Sequence, residues 1–123
     1  MCDDRRPFSP YRIAMSAVVA HCSCPDTEVA ARIARALVDE RLAACVQAVP
    51  GVTSTYRWQG EVQVDAETLL LIKTTRARID ALGRRVAELH PYDTPELLVL
   101  EVVDGAAGYL AWLEAATTAT TAR

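Results

Sequence analysis

Two short stretches of this chain concentrate side chains capable of chemistry. His21-Cys22-Ser23-Cys24-Pro25 sets two thiols beside an imidazole, and His90-Pro91-Tyr92-Asp93-Thr94-Pro95-Glu96 adds a second imidazole, a phenol and two carboxylates. A thiolate with an imidazole is a soft donor pair suited to copper, and Asp93 or Glu96 would complete a harder, weaker site. Tyr92, Asp93 and Glu96 beside His90 leave acid-base chemistry as the alternative. No serine or cysteine nucleophile stands beside a histidine at a recognisable catalytic spacing, and the only two histidines, His21 and His90, are far apart in the chain. A binding role without catalysis is the expectation.

The second stretch must be a stiff loop. Pro91 and Pro95 each fix φ, lack a donor and push the preceding residue extended, which excludes a helix interior or the middle of a sheet. The apolar run Leu97-Leu98-Val99-Leu100 follows at once and reads as a buried strand. The loop is then either a rigid connector or a platform presenting polar groups at the strand's mouth. Cys22 and Cys24, at the end of the first strand, are expected on opposite faces, which argues against a bond between them; His21 likewise falls opposite Cys22. Cys45 reads as core packing. No Cys-x-x-Cys pair is present, so a structural zinc site is not expected, and thiols kept reduced in a cytoplasm fit best.

With 51% apolar residues among 123, the chain can bury one real core but not two. A single domain over 13–116 is expected, with loose tails at 1–12 and 117–123. The net charge of -3 comes with arginines scattered among carboxylates, so no basic stripe exists to track nucleic acid. The apolar run from Ile13 to Ala20 reads as a strand rather than a signal core, because its leader carries two acids and no small-residue cleavage site follows. Nothing approaches the roughly 20 apolar residues that cross a bilayer. A soluble, cytoplasmic protein is the expectation.

The elements that would position these groups follow from periodicity. After the strand ending near Cys24, Pro25-Asp26-Thr27 starts a helix over about 27–43, with Val29, Ile33 and Leu37 at helical spacing. A strand from Cys45 is interrupted by Pro50-Gly51 and continues to Arg57, and another covers about 61–74. A second helix over about 76–89 carries Ile79, Leu82, Val86 and Leu89, and a fourth strand spans 97–103. A third helix from about Ala106 places Leu110, Leu113 and Ala116 on one face. This order is the β-α-β-β-α-β pattern of ferredoxin-like α+β domains, extended by a C-terminal helix.

The central hairpin decides what faces what. A two-residue loop, Gln59-Gly60, would mix polar and apolar residues on both faces. A three-residue loop, Trp58-Gln59-Gly60, pairs Arg57 with Glu61 and sorts Tyr56 onto the face of Val62 and Val64. At about 13 residues per arm the hairpin reaches roughly 43 Å, well past a domain whose radius of gyration is about 13 Å. Its uncovered face needs a partner, and a symmetric oligomer supplies one.

Several segments together carry a family likeness. Leu42-Ala43-Ala44-Cys45-Val46, the run from Pro50 to Gly60, Ile72-Lys73-Thr74-Thr75, His90-Pro91-Tyr92 and Tyr109-Leu110-Ala111-Trp112-Leu113 resemble the CutA family of divalent-cation tolerance proteins over about residues 13–116. The resemblance implies a homotrimer packed through its long hairpins, like trimeric PII signalling proteins, that binds Cu(II) or other divalent ions. It implies metal ligation by Cys22 and His90, with Leu89 where a second histidine would stand, so that His21, Cys24, Asp93 or Glu96 must add donors. Tyr56, Trp58, Lys73, Tyr92, Glu96 and Trp112 are the candidates for subunit interfaces or clefts. Tyr56 and Trp58 read as interface anchors at the hairpin tip, and Lys73 either holds an anion in a cleft or makes a surface ion pair. A PII-like small-molecule module using those clefts is the alternative function.

Overall fold

Residues 17–118 are described by a computed structural model. The elements are β1 (Ala17–Cys24), α1 (Thr27–Asp39), β2 (Cys45–Trp58), β3 (Glu61–Thr75), a 3-10 turn (Arg76–Arg78), α2 (Ile79–Leu89), β4 (Leu98–Glu101) and α3 (Ala107–Thr117). The strands form one antiparallel sheet in the order β2-β3-β1-β4. The element order is the expected one. The first four residues of the expected strand over 13–20 and the N-terminal tail with Cys2 lie outside the described residues, as does the chain beyond 118. Thr117, read above as the start of the tail, is the buried last residue of α3, its hydroxyl donating to the Leu113 carbonyl at 3.0 Å.

The helices form where periodicity places them because each has one apolar stripe to bury. α1 buries Ala30, Ile33 and Leu37, and Asp26 caps its first turn by accepting the Val29 N–H at 2.8 Å. It stops at Asp39 rather than near 43. The Leu42 N–H donates to the Leu37 carbonyl and the Arg41 N–H to the Val38 carbonyl, with Arg41 at φ 60. That double bond pattern closes a helix C-terminus with a left-handed residue, here without the usual glycine. α2 buries Leu82 and Val86, and both helices cover Ala20, Cys22, Cys24, Leu70 and Ile72 on one face of the sheet.

The other face is covered only at one end, where Leu110 and Leu113 of α3 pack on Ala17 and Ala44. Pairing places Val19, His21 and Ser23 there beside Lys73, Leu71 and Leu69, with Leu98 and Leu100 of β4 alongside. β4 is not the buried strand expected from its apolar run. It is a four-residue edge strand with every residue exposed, Leu98 at 59% and Leu100 at 49%. Cys45 also departs from core packing: it pairs with Lys73 and is half-buried beside Tyr109, whose pKa is raised by burial and by that thiol. Among the described residues, no helix is long and apolar enough to cross a membrane.

The hairpin turns through two residues, not three. Trp58 pairs with Glu61 and Arg57 with Val62, and Gln59 and Gly60 take φ 52 and 83. Two consecutive left-handed residues make the turn whose twist matches that of the flanking strands, and this local geometry overrides the face-sorting argument. The slip of one residue moves every side chain to the other face. Tyr56 now shares its face with Gln63 and Asp65, while Val62, Val64 and Ala66 oppose Arg57, Thr55 and Thr53. A register shift between Val49 and Val52, with Gly51 at φ 75, marks where Pro50-Gly51 interrupts β2.

Candidate functional site

Strand period brings the two thiols together. Residues two apart on a strand point the same way, so Cys22 and Cys24 share the helix-covered face, and the expectation that they oppose each other is overturned. Both are fully buried, and with His90 they place three ligand atoms within 4.8 Å of one another. His21 alone lies on the opposite face. The two free thiols stand side by side: interaction with Cys24, then burial, then the charges of Cys24, Glu96 and Glu67, pushes the Cys22 thiol far up. Cys24, by its interaction with Cys22, is pushed down, with burial opposing.

His90 is held at the end of α2 by three contacts. Its N–H closes the helix on the Val86 carbonyl at 2.8 Å, and its ring lies 2.7 Å by Nε2 from the Ser23 carbonyl. Nδ1 accepts the Tyr92 N–H at 3.2 Å, so Nε2 carries the proton that Ser23 receives. The β1–β4 ladder ends at His21 and Leu98, and past that point the imidazole supplies the donor that a strand would have given. Two sulfurs and an imidazole make a soft donor set that fits copper or zinc, provided that one ring nitrogen is released by its backbone partner. The longer bond, from Tyr92, is the one that yields most readily.

The loop after His90 is pinned to the hairpin, and a cavity of about 620 Å³ lies between them. The Tyr92 hydroxyl donates to Glu67 at 2.9 Å, Ser23 Oγ donates to Glu96 at 2.8 Å, and the His90 and Tyr92 rings stand 4.7 Å apart. Tyr56, Trp58, Tyr92 and Glu96 of the expected cleft set all line this cavity, joined by Glu67 and Asp93. Lys73 and Trp112 do not. Lys73 donates to the Gln47 amide at 2.6 Å rather than to a carboxylate, and Trp112 stands half-exposed against Tyr109 on α3. Glu67 went unforeseen because its bond to Tyr92 joins residues 25 apart and leaves no local signal, whereas the two-residue spacing of Cys22 and Cys24 was a usable signal that the expectation of opposite faces misapplied.

Tyr92 gives the pocket a measurable signature. Burial first, then its bond to Glu67 and the charges of Glu67, Tyr56 and Asp65, raises its pKa to about 12 from 10. A phenol protonated more tightly when folded adds stability that is fully present below pH 10 and is lost as pH climbs to about 12. Full removal from water would make this worth about 2.7 kcal/mol. Tyr92 is 40% exposed, and screening brings the expected value to about 1 kcal/mol. Tyr92→Phe should flatten the urea-denaturation midpoint between pH 10 and 12 by that amount.

Comparison with known proteins bears on this fold. The family profile described as "CutA1 divalent ion tolerance protein" matches residues 18–116. The chain belongs to the CutA family of divalent-ion tolerance proteins. It is 57% identical over 89 residues to the divalent-cation tolerance protein CutA of Thermus thermophilus, covering 72% of this chain and 86% of that one. A chloroplastic CutA 1 of rice is 44% identical over 100 residues, which cover 81% of this chain and 56% of that protein. A solved divalent cation tolerance protein (Cut A1) structure from Thermus thermophilus superposes with a TM-score of 0.82 at 52% identity, covering 83% of this chain and 99% of that one. The CutA fold therefore carries, in this chain, a Cys-x-Cys pair facing one histidine.

Proposed function

We propose that the chain is a cytoplasmic homotrimer without catalytic activity that binds copper or another divalent metal ion at Cys22, Cys24 and His90 and serves tolerance to such ions. The observation that carries this reading is the convergence of two thiols and an imidazole within 4.8 Å in the core. Cys24 supplies the donor that Leu89 cannot. It also softens the set, favouring Cu(I) over the Cu(II) implied by a single thiol. A reading without catalysis is supported by His90, whose ring nitrogens both serve backbone partners, so that the imidazole as held is not a free general base. The trimer is supported by the uncovered sheet face and by a hairpin whose Val62 and Val64 are about 60% exposed in one chain.

Competition titration with Cu(I) under reducing conditions tests the site. Cys22→Ala and Cys24→Ala should each weaken binding by at least the roughly 100-fold that loss of an outer partner can cost, since each removes a ligand outright. Unchanged affinity in both variants would sink the reading. A second reading, a PII-like small-molecule module, is favoured by the cavity between hairpin and loop.

A further inference from the structure

The cavity walls have an uneven chemistry. Three aromatic rings (Tyr56, Trp58, Tyr92) and three carboxylates (Glu67, Asp93, Glu96) line it, and among the described residues no lysine, arginine or histidine does. A half-open cleft bearing one sign of charge concentrates ligands of the opposite sign. Phosphates, carboxylates and nucleotides are disfavoured there.

The hydrogen bonds point the same way. The Tyr92 hydroxyl is spent on Glu67, the Ser23 hydroxyl on Glu96, and the Tyr56 hydroxyl on Asp65. Three donors that could have greeted an anionic or carbonyl-bearing ligand are turned instead onto carboxylates of the same chain. Each carboxylate keeps further lone pairs, and the remaining wall groups, the hydroxyls of Ser54, Thr55 and Thr94 and the indole N–H of Trp58, are neutral. The charge on the walls is negative alone, so a charged ligand must be positive.

An inorganic ion is the wrong shape for that demand. Among the described residues the only group of three donors close enough to chelate a metal is Cys22, Cys24 and His90, so the three carboxylates of the cavity do not converge on one ion. A volume of about 620 Å³ instead lies in the range of small-molecule pockets. Aromatic rings beside carboxylates are the wall chemistry that holds an ammonium group while a carbon body covers the rings.

We propose that the cavity between the β2–β3 hairpin and the loop 91–96 binds a small organic ammonium ion, held by Glu67 and Glu96 and stacked against Trp58, Tyr56 and Tyr92. This deepens the small-molecule reading by naming its ligand class, and it does not depend on the metal site. The hairpin register is what makes the site: with Tyr56 opposite Gln63, the face that carries Tyr56 and Trp58 also carries Asp65 and Glu67.

Calorimetric titration of the full chain in its native assembly tests the proposal, with choline and spermidine as probes and 3,3-dimethylbutan-1-ol, the uncharged shape-mimic of choline, as control. Saturable binding of a cation is expected, at least about tenfold tighter than the neutral mimic. Trp58→Leu removes the hairpin-tip ring without touching the core, since Trp58 is 57% exposed, and should weaken the cation by about tenfold. Glu67→Gln keeps an acceptor for Tyr92 while removing a charge and should weaken it by a similar factor, about tenfold. Circular dichroism confirms that each variant is folded, and light scattering that it keeps the mass of the unsubstituted protein. Equal binding of the neutral mimic, no saturable heat from either cation up to about 10 mM, or undiminished binding by folded Trp58→Leu each overturns the proposal. None of the three metal donors lines the cavity, so Cu(I) affinity should be unchanged in Trp58→Leu, and failure of one reading leaves the other standing.

Discussion

His90→Ala will lower the unfolding free energy by about 3 kcal/mol, measured by urea denaturation at fixed protein concentration. The ring is only 7% exposed, and it satisfies two backbone groups at once. Its removal leaves the Ser23 carbonyl without its donor and the Tyr92 N–H without its acceptor, at about 1 to 3 kcal/mol for each buried group. A cavity beneath the Tyr92 ring adds to the loss. His90→Asn can still donate to Ser23 and should recover part of the deficit. His90→Ala also releases the loop, so in that variant the Tyr92 amide should lose hydrogen-exchange protection before the core does. A destabilisation under about 1 kcal/mol would show that the histidine is not the pin between β1 and the loop.

This dual use explains why the loop was readable as a rigid connector and as a ligand platform. Pro91 and Pro95 stiffen the backbone, but the position of the loop is set by side chains: His90 on Ser23, Tyr92 on Glu67 and Ser23 on Glu96. Ser23 joins the two candidate sites, because its carbonyl holds the histidine of one and its hydroxyl a carboxylate of the other. Those long-range bonds leave no trace in local spacing.

The helices were legible because burial is local to them: Ile33 with Leu37, and Leu82 with Val86, announce a stripe at 3.6 residues per turn. The end of α1 was not, because Arg41 occupies the left-handed position that glycine usually advertises. The hairpin register was misjudged for a deeper reason. Sorting assumes that apolar side chains of paired strands share a face inside one chain, whereas Val62 and Val64 lie opposite Thr55 and Arg57 and remain exposed. In the proposed trimer that pattern faces a neighbouring chain. The placement of Cys24 needed no structure, only the strand's two-residue period.

That neighbour gives the second large effect. Leu98→Glu together with Leu100→Glu should convert the assembly to single chains, reducing the light-scattering mass from about three times 13.4 kDa to 13.4 kDa. Both side chains lie on the sheet face that no helix covers beyond its α3 end, and Val49, on the same face but in β2 at the opposite edge of the sheet, is 40% exposed. Burying a leucine between subunits contributes about 2 kcal/mol. A carboxylate in the same dry position costs several kcal/mol instead, and symmetry repeats that cost in every copy. Within one chain the same positions already face water, so the substitutions disturb no intrachain core and far-UV circular dichroism should be retained. Dissociation with the fold preserved assigns this face to the subunit contact. An unchanged mass would move the contact to the hairpin's Val62 and Val64 face, and a single-chain mass for the unsubstituted protein would remove the trimer altogether. The outcome also bears on the metal site, because Cys22 and Cys24 lie on the helix-covered side of the same sheet, on the neighbouring strand β1: a dissociated but folded variant that keeps its Cu(I) affinity would show that each chain builds its site alone.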